Sequence, residues 1–181
     1  MHCFARFFEN LQQDLKAFIY WCLVLTVFRI AFICIYSSQL NGSYAEVPMA
    51  LLLGFRLSMK TAGMLCLIGF VISSLPKIIL KAWPADKIRL VWHGIALGFF
   101  SICFMARIPY YKIFNAAFNM MLINGAHDDI KAIIITAIEE YQLLWRLPVA
   151  IVIGLLLTGI LRMVYKYTCV KEFEACKRKP L

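Results

Sequence analysis

The stretch AFIYWCLVLTVFRIAFICIYS, from Ala17 to Ser37, decides the fold, because it carries one charged residue, Arg29, in a run otherwise built from apolar and weakly polar side chains. A helix rises about 1.5 Å per residue, so a run of about 20 residues crosses a hydrocarbon layer about 30 Å thick. The segment before it is of mixed charge, with Arg6, Glu9, Asp14 and Lys16. A cleaved leader would have a shorter apolar stretch, about 7 to 15 residues, so the run reads as a retained anchor, with Ser43-Tyr44-Ala45 only a weak cleavage signal.

Composition extends this reading to the whole chain. Of 181 residues 62% are hydrophobic and 16% charged, whereas soluble domains are about half apolar and about a quarter charged. The mean hydropathy is +0.77. A bilayer solvates such surfaces, provided that backbone groups pair internally, and helices satisfy that condition. The expected fold is therefore all-α, a polytopic membrane bundle of about four transmembrane helices. The net charge of +9 does not point to nucleic acid, because the cations gather at the ends of the apolar runs, where topology places them. The seven cysteines show neither a disulfide framework nor zinc-ligand spacing.

Helices are expected at about 17–37, 60–80, 88–106 and 143–165. Asn41, Gly42 and Pro48 mark a turn-rich exit from the first, and Arg56 and Lys60 stand at or snorkel toward an interface where the second begins. Lys77, Lys81, Lys87 and Arg89 face only Asp86 around Trp83-Pro84, which marks a basic cytoplasmic hairpin. Between the third and fourth helices, 110–123 and 129–141 are too short to span and carry apolar positions at helical spacing. They are expected to be interfacial helices on the outer side. The basic tail, 166–181, returns to the cytoplasm, so both termini are expected there.

Few residues suggest chemistry. Arg29 would cost about 2.5–3.5 kcal/mol near the bilayer centre, so it is expected to face the bundle, as a hydrogen-bonded structural arginine or as a contact to lipid phosphate. His93 lacks a second ligand at i+3 or i+4 and reads as a packed, hydrogen-bonded side chain rather than a relay or metal ligand. His127-Asp128-Asp129 and Glu139-Glu140 suit a divalent cation or, more simply, a turn and a helix cap. No P-loop, Gly-x-Ser-x-Gly or paired-cysteine cluster occurs. No cofactor or metal site is expected within this chain, and the sparse ionisable groups argue against a transporter.

Four stretches carry a family resemblance. Val27-Phe28-Arg29-Ile30-Ala31-Phe32 is similar to an Arg-x-x-Phe first helix, and Gly54-Phe55-Arg56 resembles a Gly-Leu-Arg that opens a second. Arg107-Ile108-Pro109-Tyr110-Tyr111-Lys112-Ile113-Phe114-Asn115 with Phe118-Asn119 resembles Asp-x-x-Tyr-Tyr-x-x-Phe and a following Leu-Asn. Asp128-Asp129 followed by Ile138-Glu139-Glu140-Tyr141 resembles an acidic spot and a Glu-Tyr pair. Together they resemble the N-terminal membrane domain of the lipoteichoic acid synthase family, the phosphoglycerol transferases and sulfatase-like proteins of the alkaline phosphatase superfamily. The chain has Leu57-Ser58 where that family continues with Phe-Asp.

The resemblance implies a bacterial cytoplasmic membrane protein that anchors and contacts lipid, including anionic phospholipid. It singles out Arg29, Arg56, Arg107, Tyr110, Tyr111, Asn119 and Tyr141 as headgroup or structural residues. It also implies a fifth helix and an external catalytic domain, with a threonine nucleophile and a divalent metal, commonly Mn. The chain reaches Leu181 before either, so it is expected to be truncated and to lack catalysis of its own. The alternative is a small accessory or scaffold protein that binds a partner membrane protein.

Overall fold

The computed structural model describes residues 2–37, 47–80, 83–114 and 143–167. Five α-helices occur in this part: α1 (His2–Ile35), α2 (Val47–Gly69), α3 (Leu75–Ile79), α4 (Ala85–Phe114) and α5 (Leu143–Lys166). A π-helical segment, Phe70–Ser74, joins α2 to α3 without a break. Among the described residues no strand occurs, and four helical stretches are long and apolar enough to cross a membrane: Asn10–Ile35, Val47–Lys77, Ala85–Lys112 and Leu144–Lys166.

The helices run longer than expected at several ends. α1 starts at His2 rather than near Ala17. α2 starts at Val47 rather than near Lys60, because Pro48 falls in the first turn, where a missing N–H costs no intrahelical bond. Arg56 and Lys60 therefore stand within a helix instead of opening it. The interfacial helix expected over 110–123 is corrected where it is described: 110–114 belong to α4, which continues through Pro109. Proline removes one bond and crowds one carbonyl, and the flanking residues keep theirs. The remainder of that helix, and the one expected over 129–141, lie outside the described residues.

Pro76 accounts for the π segment. Its ring would clash with the carbonyl four residues back and it supplies no N–H, so the turns ahead of it widen. Leu75 N–H bonds to the Phe70 carbonyl, the five-residue step of a π turn. Widening also places two consecutive residues, Ser73 and Ser74, in the interior, both fully buried.

The chain divides into two compact units, Met1–His93 with Thr158–Leu181, and Gly94–Leu157. In the first, α1 packs along α2, the π segment and α3. Of its buried positions, Asn10, Asp14, Ala17, Trp21 and Val24 recur at alternating four- and three-residue steps, a seam along one helix face that Tyr20 and Cys22 flank. Three of the buried positions of α2, Gly54, Ser58 and Ala62, form a row of small residues four apart, the pattern that lets membrane helices approach closely. Lys16 Nζ donates to the Tyr167 carbonyl just past α5, a cation at a helix C-terminus.

In the second unit α4 and α5 meet at glycine. A β-carbon on Gly154 would stand 2.9 Å from Gly98 Cα and 3.6 Å from Ser101 Oγ. Outward-facing side chains are large and apolar in every span: Leu23, Met64, Ile95 and Leu155 are 61%, 69%, 66% and 67% exposed. Water would not tolerate so continuous a surface, and hydrocarbon does.

Gly154→Leu is expected to destabilise the chain by about 1–3 kcal/mol, because the obstacle is backbone that does not yield. At Gly159 nothing lies within 4 Å of an added β-carbon, so Gly159→Ala is expected to stay within about 1 kcal/mol of the parent. Thermal unfolding in detergent measures both, and equal losses would contradict the close helix approach.

Candidate functional site

Two polar features stand out against the apolar spans of the first unit, one at each end of α1. At its N-terminal end Arg89 is 1% exposed, yet both terminal nitrogens find acceptors and its Nε faces a carboxylate. Its Nε lies 2.8 Å from Asp14 Oδ1. One terminal nitrogen donates to Ser74 Oγ at 2.8 Å and to Asn10 Oδ1 at 3.3 Å, and the other to Asp86 Oδ1 at 3.2 Å. Ser74 in turn donates to Asp14 Oδ2 at 2.6 Å. The cluster ties α1, the π segment and α4 together. The π geometry matters here, since it turns Ser74 inward beside Ser73, whose hydroxyl donates to the Gly69 carbonyl at 2.6 Å.

Asp86 also pairs with Lys77 at 3.4 Å, but its side chain is 74% exposed, so water screens that link. Arg89, which the sequence presents as a solvated loop cation, is instead an interior charge with Asp14 as its buried counter-ion. Removing one partner strands the other away from water, so the cost is large.

One helical turn beyond Arg89, His93 is fully buried, and its Nδ1 accepts a hydrogen bond from Trp21 Nε1 at 3.0 Å. Indole nitrogen only donates, so the proton of the neutral imidazole sits on Nε2. That nitrogen has no partner among the described residues and faces Gly69, where a β-carbon would stand 3.2 Å away. The neighbouring Trp92 donates to the Leu65 carbonyl at 3.1 Å. His93 is thus a packed, hydrogen-bonded side chain. Among the described residues, no three His, Cys, Asp or Glu side chains group to hold a metal ion.

Further along α1, Arg29 is half-buried and its guanidinium occupies the very place a β-carbon would take on Gly54 of α2. No hydrogen bond or ion pair joins it to any described residue. Arg29 faces the neighbouring helix, as expected of an intramembrane cation, and finds a steric seat rather than a counter-charge.

The other residues expected at a headgroup site are dispersed. Arg56 lies with Lys60, i to i+4, on an exposed face of α2, away from the buried Gly54–Ser58–Ala62 row. Arg107, Tyr110 and Tyr111 belong to the second unit on α4, Tyr110 buried and the other two half-buried, and all three are engaged. Asn119 and Tyr141 lie outside the described residues, as do His127-Asp128-Asp129 and Glu139-Glu140. Asn10, Asp14, Ser74 and Arg89 were not singled out by the sequence motifs. The signal for the first two was the seam spacing of α1, which continues from Trp21 and Ala17 into Asp14 and Asn10.

Comparison with protein-family models, with curated proteins and with solved structures gives no match. The class rests on the chain itself: a helical protein with four helices long and apolar enough to cross a membrane.

Asp14→Ala and Arg89→Ala are each expected to cost about 3–5 kcal/mol, with the double variant costing much less than their sum, because together they leave no stranded charge. Denaturation in detergent checks this, and additive losses would contradict a coupled pair. Arg89→Lys is expected to rescue little, since an ammonium cannot address Asp14, Ser74 and Asn10 from one planar fork.

Proposed function

We propose that this chain is a lipid-contacting membrane anchor of the kind that carries the catalytic domain in lipoteichoic acid synthase-like phosphoglycerol transferases, without transferase activity of its own. One observation carries the reading: Arg29 and Gly54, from two of the four stretches behind the resemblance, stand against each other although they lie on different helices. A chance likeness of two greasy segments gives no reason for their marked residues to meet. The partners are membrane lipids, including anionic phospholipid. The location is the bacterial cytoplasmic membrane, with four crossings that return both termini to the cytoplasm, on the side of the Lys77–Arg89 cations.

In this proposal Mn belongs to the part that the membrane segment would serve.

Reconstitution into liposomes of phosphatidylglycerol and phosphatidylcholine tests the proposal. The chain is expected to stay with the membrane through alkaline carbonate washing, to expose both termini on one face, and to release no diacylglycerol with or without Mn. Extraction by carbonate would overturn the anchor. Mn-dependent release of diacylglycerol would overturn the statement that the chain does not catalyse alone.

A further inference from the structure

Arg29 carries the inference, because its depth and its chemistry constrain what meets it. Along α1, about 22 Å of helix separates Arg29 from Asp14, at 1.5 Å per residue. Asp14, Ser74 and Arg89 form a polar layer beside the exposed Asp86, which pairs with the half-buried Lys77, and this sets that layer at one edge of the hydrocarbon. With a core about 30 Å thick, Arg29 then stands about 8 Å short of the opposite edge, within the reach of a snorkelling arginine. It is not at the midplane, where a lone cation is hardest to keep.

A guanidinium at that depth presents five donors in a rigid fork, and none is used by a described residue. Gly54 holds the group: any β-carbon there would occupy the guanidinium's own position. The Gly54 carbonyl already accepts from Ser58 Oγ at 3.0 Å, so the seat is steric rather than hydrogen-bonded. Such a fork matches paired oxygens of carboxylate or phosphate, and on a phospholipid arriving from the lipid side the phosphate is the group every headgroup carries.

We infer that Arg29, positioned by Gly54, is a binding site for the phosphate of a phospholipid in the leaflet opposite the Asp14–Arg89 layer. The inference rests on the lipid-contacting reading above and narrows it to one side chain, one leaflet and one chemical group. Gly54 is a positioning residue: it touches no ligand and acts by keeping the guanidinium at the groove between α1 and α2. Arg56, on a different face of α2, is not part of the seat.

The test is native mass spectrometry of the purified full chain in detergent, titrated separately with dioleoyl phosphatidic acid, dioleoylglycerol and inorganic phosphate. The parent is expected to retain phosphatidic acid at least tenfold better than Arg29→Gln, with Arg29→Lys intermediate, and to retain dioleoylglycerol no better than the Gln variant does. Gly54→Ala is expected to lower retention as Arg29→Gln does, and the double variant to lose nothing further, a coupling that a merely structural glycine would not produce. Arg56→Gln is expected to leave retention within twofold. Equal retention by parent and Arg29→Gln, with both melting at the same temperature, would overturn the site. Displacement of the lipid by equimolar inorganic phosphate would overturn the lipid source. Neither result bears on carbonate resistance, so failure of the site and failure of the anchor are separable.

Discussion

A guanidinium withdrawn from water between three helices is the constraint on which the first unit depends. Arg89 needs a counter-charge and several acceptors at once, and it obtains them only if Asp14 and Asn10 of α1, Ser74 of the π segment and Asp86 of its own first turn converge on it. Apolar packing gives helices in lipid little reason to choose one register over another, because hydrocarbon tails are as apolar as leucine. A buried charge supplies that choice. The requirement that Ser74 face inward also gives the widened turn ahead of Pro76 a structural use beyond relieving a proline.

The contrast between the two ends of α1 follows from the same physics. At one end an arginine is paired with a carboxylate and hydrogen-bonded through both terminal nitrogens, and at the other an arginine is seated by the absence of a side chain, with its donors unused by the described residues. The first arrangement fixes structure. The second leaves donors free of the described residues, which is what the proposed lipid phosphate would use.

The sequence made the four spans legible because each is a long apolar run, and it placed α5 within a residue of where it lies. It was less informative about helix ends: His2–Lys16 and Val47–Met59 hold charges or turn-like residues that read as interruptions, yet a helix tolerates them at its polar ends. Arg29 was recognisable as an interior cation from its setting. Its seat was not, since nothing in Gly54-Phe55-Arg56 says which of the two marked residues faces α1. The Arg89 cluster was concealed by the charge-counting that reads loop cations as topology signals. A cation that begins a helix serves either purpose, and only its neighbours in space decide.

The central claim is that lipid is the solvent of these helices, with the Asp14–Ser74–Arg89 layer at its edge. The most direct measurement is the accessibility of spin labels at Leu23, Met64, Ile95 and Leu155 in reconstituted chain, compared with a label at Asp86. The account predicts frequent collision with oxygen and scarce collision with a water-soluble nickel chelate at the four apolar positions, and the reverse at Asp86. Free access of the nickel chelate to all five, in a chain that stays monodisperse without detergent, would contradict it.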